Sequence, residues 1–179
     1  MLEGRHTGLR AIERADLPQL LLWRNRPDFR RFFREARELS MAHQDRWFEN
    51  VVLNDPRVHM FAITETASGR LLGACGLCYI DWVSRGADLS LYIGADDLYI
   101  DEVFAPDAAR RLMRHGFEDL NLHRIWAEIY DFDEAKKRLF KTLGMTLDGR
   151  HREAHWAEGT WHDSLFYGIL DYEFTTRSR

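Results

Sequence analysis

The stretch Tyr92–Phe117, "YIGADDLYIDEVFAPDAARRLMRHGF", decides the fold because it passes from a strand through a loop into an amphipathic helix. Ala108, Leu112 and Met113 recur at helical spacing, with arginines on the opposite side. Loops of this kind often hold a pyrophosphate, for which glycines and a basic residue are suited. This loop has one glycine at its start and four carboxylates, which are Asp96, Asp97, Asp101 and Glu102.

The segments that flank this stretch alternate between strand and helix patterns. Before it, "GADLSLYIG" alternates cleanly and predicts a strand. After it, "HRIWAEIY" predicts a strand with Ile125, Ala127 and Ile129 on one face and the polar Glu128 on the other. The next segment, "DEAKKRLFKTLG", predicts a helix that begins at an aspartate cap and ends at a glycine.

The N-terminal part predicts a strand, two helices and a hairpin. "TGLRAIE" alternates as a strand, and "DLPQLLLWRN" predicts a helix with Asp16 and Gln19 as a capping box and Pro18 in its first turn. "SMAHQDRWFENVV" predicts a helix capped by Ser40, and "HMFAITE" with "RLLGACGLCYI" predicts a hairpin. A second hairpin, from "MTLDGRHREAHW" to "WHDSLFYGILDYEF", ends the chain, so the order is β-α-α-β-β-β-α-β-α-β-β.

Composition indicates one soluble domain over residues 1–179. The net charge of -4 and the pI of about 6.1 argue against a nucleic-acid partner. The apolar runs are too short to span a bilayer and no signal peptide is visible, so we expect a cytoplasmic protein without a membrane partner. Cys75 and Cys78 lie three apart in a strand-like run, which favours buried reduced thiols.

The order of these elements resembles that of the GNAT acetyltransferase superfamily over nearly the whole chain. The matching pieces include "LLLWRN", "LLGACGLCYIDW", "ADLSLYIG", "RRLMRHGFEDLNLHRIWAEIY", "AKKRLFKTLGM" and "GTWHDSLFYGIL". The most similar branch contains ribosomal-protein N-terminal, spermidine and nucleotide-amino-sugar N-acetyltransferases. The resemblance implies an α+β fold, an α/β sandwich with a central mixed, mostly antiparallel sheet of about 6–7 strands flanked by about 4 helices.

The resemblance also implies acetyl-CoA as co-substrate, held where two parallel strands splay apart. One strand would offer backbone groups to pantetheine, and the helix that follows would bind the pyrophosphate. This sequence departs from the family loop, since Ile100 and Val103 stand at its basic and glycine positions and Phe140 replaces a family tyrosine. The expected cofactor-binding residues are Leu91, Tyr92, Ile93, Phe104, Ala105, Pro106, Asp107, Ala108, Asp133, Lys136, Lys137 and Phe140.

Two side chains of one strand are the candidate catalytic residues. Acetyl transfer needs a neutral amine and protonation of the leaving thiolate. Glu128 is a candidate general base, and the alternative is a half-exposed carboxylate paired with an Arg or Lys. Tyr130 is a candidate proton donor in place of the missing tyrosine, and the alternative is a packed aromatic side chain.

Two further groups of residues are candidates for the acceptor side. By family position, Trp23, Arg24 and Asn25 could line an acceptor pocket. If Glu158 and Gly159 form a two-residue turn, the last hairpin pairs Trp156 with Trp161 and His155 with His162. The tryptophans either staple the hairpin or form a platform for a ring. We expect no metal, because a zinc site needs a third protein ligand.

Three functions remain open from the sequence. The first is an acetyl-CoA-dependent N-acetyltransferase that acts on a small amine, an amino-sugar or a protein N-terminus. The second is a GNAT-fold binding or regulatory protein without turnover, and the third is an acyltransferase with a different acyl donor. We expect a small-molecule or peptide amine as partner, and a homodimer is possible.

Overall fold

The structure is a computed structural model that describes residues 1–177. Eight strands form one sheet in the order β1-β2-β3-β4-β5-β6-β8-β7. The strands are β1 (Leu2–Glu3), β2 (Thr7–Ala11), β3 (His59–Glu65), β4 (Leu71–Asp81), β5 (Gly86–Ile93), β6 (Arg124–Tyr130), β7 (Thr146–Ala157) and β8 (Thr160–Leu170). The helices are α1 (Leu17–Asn25), α2 (Pro27–Arg30), α3 (Met41–Trp47), α4 (Phe104–Arg114), α5 (Glu134–Leu143) and α6 (Asp171–Arg177).

The predicted α+β class with a mixed, mostly antiparallel sheet is confirmed, with slightly more strands than expected. The additional pieces are the two-residue strand β1 and the short helices α2 and α6. The last segment, "DYEF", was expected to continue the second hairpin; it instead begins α6 after β8 ends at Leu170. Among residues 1–177, no helix combines the length and apolar character needed to cross a membrane.

One pair of neighbouring strands is parallel, and it separates early. β5 and β6 pair through Gly86–Arg124, Ala87–Ile125 and Asp88–Trp126, whereas the other neighbouring strands are antiparallel. β5 continues to Ile93 and β6 to Tyr130 without further pairing between them. A gap therefore opens between β5 and β6, as the resemblance implied.

The sheet is covered on both faces. Gly116, in the π-helical turn that continues α4, lies so close to Leu77 and Ile125 that a Cβ there would meet both side chains. Because side chains alternate along a strand, Glu128 points to the face opposite Ile125. The chain between α1 and α3 covers that second face, where Arg34 contacts Glu128.

Two glycines are required by geometry near the gap and at the end of α5. A Cβ at Gly94 would collide with the ring of Trp23, so the turn after β5 depends on the missing side chain. Gly144 has φ 81° and ends α5, while the Asp133 carboxylate begins it by accepting a 3.0 Å bond from the Lys136 N–H. Both ends of α5 therefore agree with the prediction.

The predicted capping box of α1 is wrong. The Asp16 carboxylate does not cap α1; it accepts two hydrogen bonds from Arg10, at 2.7 and 2.8 Å, and one from the Glu13 N–H at 2.8 Å. The Arg10 guanidinium engages both carboxylate oxygens, and such a bidentate pair of charge-assisted hydrogen bonds fixes the side chain away from the helix start. Pro18 lies in the first turn of α1, and Ser40 caps α3, as predicted.

The two cysteines are free thiols, as predicted. Cys75 is fully buried, and Cys78 is partly buried with its sulfur 3.7 Å from that of Met60. Burial raises the pKa of Cys78 to about 12, so both thiols stay protonated near neutral pH.

Asp107, one of the residues expected to bind the cofactor, ties α4 to the N-terminal hairpin through its side chain. Its carboxylate accepts bonds from the N–H groups of Arg5, His6 and Thr7 at 2.9–3.1 Å and from the Thr7 hydroxyl at 2.7 Å. Burial alone would raise the pKa of Asp107, but these hydrogen bonds together lower it. The carboxylate is thus committed to the fold.

We expect Asp107→Asn to lower the free energy of unfolding by about 1–2 kcal/mol, because an amide group cannot accept all four bonds. The folded pKa of Asp107 is below its unfolded value, so its contribution is present above the unfolded pKa and is lost as pH falls through the folded pKa. Urea unfolding at pH 7 and at pH 3 measures both effects. Glu102→Gln, a change of a neighbouring exposed acid, is the control, and equal stability of the three proteins at pH 7 would contradict the assignment.

Candidate active site

The gap between β5 and β6 leaves backbone groups of β5 without a partner on β6. The Ile93 N–H points into the gap, where it donates to the Tyr99 carbonyl at 2.9 Å, whereas the Gly94 N–H bonds to Leu72 at 2.7 Å on the opposite side. Because backbone direction alternates along a strand, Leu91 also directs its N–H and C=O into the gap. The backbone of Tyr92 faces β4 instead, and its buried side chain packs edge-on against a phenylalanine.

Tyr99 crosses the gap from the β5 side to α5. Its hydroxyl donates a 2.9 Å bond to the Asp133 carboxylate, and its ring stacks on Phe32 with 4.4 Å between centroids. The Lys136 ammonium lies 5.5 Å from the centre of the same ring. Burial and the Asp133 charge raise the pKa of Tyr99, so the hydroxyl remains a donor. The sequence pattern did not single out this residue.

The acidic loop after β5 is held by its own carboxylates. Asp96 pairs with Arg70 through bonds of 2.7 and 2.8 Å, and Asp97 pairs with Arg26. Both aspartates have positive φ, at 56° and 59°, a conformation that glycine commonly supplies. Two of the four loop carboxylates therefore fix the loop to the body of the protein.

A third loop carboxylate, Asp101, occupies the start of α4. It accepts bonds from the N–H groups of Val103 at 2.9 Å, Phe104 at 2.7 Å and Ala105 at 2.7 Å. Unpaired N–H groups at a helix start are the groups that bind phosphate in many proteins. Here an internal carboxylate satisfies them, and the next residue, Pro106, has no N–H.

A groove of about 520 Å³ lies between the start of α4 and α5. Asp101, Glu102 and Pro106 line one wall, and Arg138 and Lys141 line the other. The predicted cofactor residue Lys137 is absent from this lining; its ammonium bonds to Glu134 at 2.7 Å and to the Asp131 carbonyl at 2.6 Å.

A second cavity, of about 280 Å³, lies where β5 and β6 begin to separate. β5 contributes Asp88, Leu89 and Ser90, β6 contributes Glu128, and α5 contributes Lys136. The chain between α1 and α3 closes the other side with the charged residues Arg24, Arg34 and Glu35 and the aromatic residues Phe32, Phe33 and Trp47. The predicted Glu128, Lys136 and Arg24 are thus brought together.

Arg34 joins two carboxylates in this cavity. It donates a 2.8 Å bond from Nη1 to Asp88 and a 3.2 Å bond from Nε to Glu128. Asp88 is only 4% exposed, and burial raises its pKa although the Arg34 charge lowers it in part. Glu128 is thus paired with an arginine, as expected for the alternative in which it is a half-exposed carboxylate with a basic partner. The pattern missed Arg34 and Asp88, although Asp88 is the one acid within strand β5.

Arg24 has an unsatisfied polar atom beside the cavity. Its guanidinium carbon lies 4.6 Å from the centre of the Phe33 ring. Its Nε is buried and has no hydrogen-bond partner within the described part of the chain. A buried donor without a partner is uncommon in proteins, which makes Arg24 a candidate for ligand contact.

The other predicted acceptor residues lie away from this cavity. Trp23 is buried against Gly94. The Asn25 amide exchanges two hydrogen bonds with the backbone of Leu39, at 2.7 and 2.8 Å. Asn25 therefore shapes the covering segment, Trp23 packs on the turn after β5, and neither lines the cavity with Arg24.

Tyr130, the predicted proton donor, and Phe140, which replaces the family tyrosine, are both packed aromatic residues. Tyr130 is 7% exposed, and its ring stacks on His155 with 3.6 Å between centroids, outside the cavity lining. Phe140 is buried and packs against Tyr167, with 5.2 Å between ring centres. Burial raises the pKa of Tyr130, so its hydroxyl stays protonated.

The tip of the last hairpin has the predicted register. Trp156 pairs with Trp161, their rings meet edge-on at 5.1 Å, and both are more than half exposed. Arg31 bonds to Glu158 at the tip over 3.1 Å, which links the hairpin to the segment that covers the cavity. No group of three or more candidate metal ligands occurs among residues 1–177.

The chain belongs to the GNAT acetyltransferase family, because the family model for the "Acetyltransferase (GNAT) domain" matches residues 6–146. This membership confirms the predicted enzyme class, a GNAT-type N-acetyltransferase. Curated relatives include a spermidine N(1)-acetyltransferase of Vibrio cholerae, 24% identical over 95% of this chain and 96% of the relative. A putative ribosomal N-acetyltransferase of Bacillus subtilis is 26% identical over 59% of this chain and 57% of the relative.

Solved structures show the same fold. A spermidine N-acetyltransferase from Vibrio cholerae, in complex with CoA and spermine, has a TM-score of 0.86 at 22% identity and covers 95% of this chain and 98% of its own. A dodecameric structure of the spermidine N-acetyltransferase from Vibrio cholerae has a TM-score of 0.79 at 22% identity and covers 97% and 99%.

Proposed function

We propose that this chain transfers an acetyl group from acetyl-CoA to a primary amine in the cavity where β5 and β6 separate. One observation carries the proposal. The same cavity holds a carboxylate on β6, an ammonium on α5 and part of β5 that β6 leaves unpaired, at the point where the parallel pairing ends. Those are a proton acceptor, a proton donor and a backbone edge that can bind an amide-containing arm.

Glu128 is the proposed general base. When bound, acetyl-CoA supplies an acyl thioester, and the amine must lose a proton as its nitrogen bonds to the acyl carbon. The Glu128 carboxylate lies at the cavity wall and can take that proton directly or through a water. Arg34 holds the carboxylate in one orientation by its 3.2 Å bond.

Lys136 is the proposed proton donor to the departing sulfur. Its ammonium lies beside the gap and has no hydrogen bond or ion pair within residues 1–177. Burial lowers the pKa of Lys136, although Asp133 and Asp88 offset part of that shift. A less basic ammonium gives up its proton more readily, which suits the step in which the carbon–sulfur bond breaks.

The proposed acceptor is a small amine. The cavity lining sets the carboxylates of Glu35, Asp88 and Glu128 against the cations of Arg24, Arg34 and Lys136, so its charge is balanced, and its aromatic side chains can bind a cation. The similarity to spermidine N-acetyltransferases supports this class over an amino-sugar or a protein N-terminus. The test is thiol release from acetyl-CoA with spermidine, with glucosamine and with a peptide that has a free N-terminus.

The binding protein without turnover is the second candidate function. Tyr99 lies across the gap, and Asp101 occupies the start of α4, so the donor side is filled by the protein's own groups. Thiol release separates the two functions, because a binding protein without turnover would release no thiol from acetyl-CoA with any amine. Self-association as a homodimer or larger assembly stays a prediction, supported by the dodecameric structure of a similar protein.

We expect Glu128→Gln to lower kcat by about 100-fold or more, in the range of general-base contributions. The amide keeps the size of the side chain and a bond to Arg34 but cannot take a proton. Glu118→Gln, on the exposed turn after α4, is the matched control and should leave kcat unchanged. Near-normal turnover by Glu128→Gln would remove Glu128 from the mechanism.

The pH profile of kcat tests Lys136. A general acid must be protonated, so we expect kcat to fall as pH rises through the pKa of Lys136, which burial places below the ordinary lysine value. Lys136→Arg should lower kcat and remove this fall, since arginine does not lose its proton in that range. The control is Lys137→Arg. An identical fall in both variants and the parent protein would show that another group titrates.

A further inference from the structure

We propose that Arg138 and Lys141 of α5 bind the phosphates of the acyl donor, because Asp101 has taken over the N–H groups at the start of α4. This inference rests on the proposed function, since it concerns where a nucleotide-bearing thioester is held. It assigns a binding role to two residues that the sequence pattern did not indicate.

The N–H groups at the start of α4 already have a negatively charged partner. Asp101 engages the N–H groups of Val103, Phe104 and Ala105, all within 2.9 Å. A phosphate at the same place would meet this carboxylate, and two like charges in contact repel each other more strongly at a partly dry surface than in water. The donor phosphates therefore need cations elsewhere.

The groove between α4 and α5 contains two cations that could bind the donor phosphates. Arg138 and Lys141 line its α5 wall, three residues apart and so on one face of the helix. Neither side chain has an ion pair or hydrogen bond to its charged group within residues 1–177. The groove volume of about 520 Å³ is enough for part of a nucleotide.

Two other cations near the groove already have hydrogen-bond or ion-pair partners. Lys137 is bound to Glu134 and to the Asp131 carbonyl, and Arg110 donates to the Thr142 carbonyl at 3.2 Å. Lys136 lies in the inner cavity and not in the groove. Arg138 and Lys141 thus remain as the pair that faces open space.

The groove also indicates which part of the donor it would take. Its apolar lining comes from Ile100, Pro106 and Leu139, and its cations lie at the outer helix α5. A nucleoside diphosphate combines a ring that packs on apolar side chains with phosphates that pair with guanidinium and ammonium groups. Asp101 and the exposed Glu102 on the opposite wall would weaken such binding.

The experiment is calorimetric titration of the full chain with acetyl-CoA and with acetyl-pantetheine, which lacks the nucleotide and diphosphate. The test variant is Arg138→Gln with Lys141→Gln, and the control is Arg114→Gln at the far end of α4. We expect the double variant to weaken acetyl-CoA binding by about 10-fold or more, as for lost charge-assisted hydrogen bonds, and to leave acetyl-pantetheine binding unchanged. The control should match the parent protein.

Asp101→Asn distinguishes the two possible phosphate sites. If the phosphates displace Asp101 and use the start of α4, this variant should bind acetyl-CoA about 10-fold more tightly or better, and the α5 variant should bind normally. That pair of results would overturn the inference, as would no binding of acetyl-CoA to the parent protein. Thermal unfolding confirms that each variant is folded. Failure of the proposed function would give a different result: acetyl-CoA would bind, but no amine would cause thiol release.

Discussion

The carboxylate of Asp101 holds the first turn of α4, and the donor side of the site depends on that contact. Three backbone N–H groups point at one side chain, and the bonds of 2.7–2.9 Å have the length of charge-assisted hydrogen bonds. A negative charge at a helix start is also favoured by the helix dipole. The helix and the loop before it are thereby fixed without any ligand.

The course of the loop follows from this contact and from two ion pairs. Arg70 and Arg26 hold Asp96 and Asp97, so the loop stays against the sheet in a left-handed conformation. Its next part brings Tyr99 across the gap to Asp133, the residue that caps α5. Carboxylates thus stabilise the conformation of this loop and satisfy the N–H groups of the helix start. In other proteins with a phosphate-binding helix start, glycines adopt the loop conformation and a bound anion satisfies the N–H groups.

The gap between β5 and β6 connects this loop to the inner cavity. The two strands stop pairing after Asp88, and a cavity lies at this point. The side chains of Asp88 and Glu128 line that cavity. Two carboxylates so placed would repel each other, and Arg34 from the covering segment relieves that repulsion by bonding to both. The same arginine fixes the proposed base in position.

Local patterns of sequence were enough to predict most of the fold. The alternation of β5 and β6, the helical spacing in α4 and the ends of α5 are properties of neighbouring residues, and each agrees with the structure. The register of the last hairpin followed from the turn at Glu158, because a two-residue turn fixes the residues that face each other.

Contacts between distant residues could not be predicted in this way. Arg34 meets partners 54 and 94 residues away, so no local spacing indicates the clamp on Asp88 and Glu128. The prediction for Asp16 failed for a different reason, since its carboxylate pairs with Arg10, six residues earlier, instead of capping α1. For Asp101 the sequence showed the reversed charge of the loop, but only the three-dimensional structure shows that the carboxylate itself fills the helix start.

Hydrogen–deuterium exchange at the amides of Val103, Phe104 and Ala105, with and without saturating acetyl-CoA, tests the central claim most directly. The Asp101 contact predicts that these three amides are protected in the free protein and that acetyl-CoA leaves their protection unchanged. Rapid exchange in the free protein, with protection that appears only when acetyl-CoA is added, would show that the start of α4 is an open phosphate site and would contradict the account.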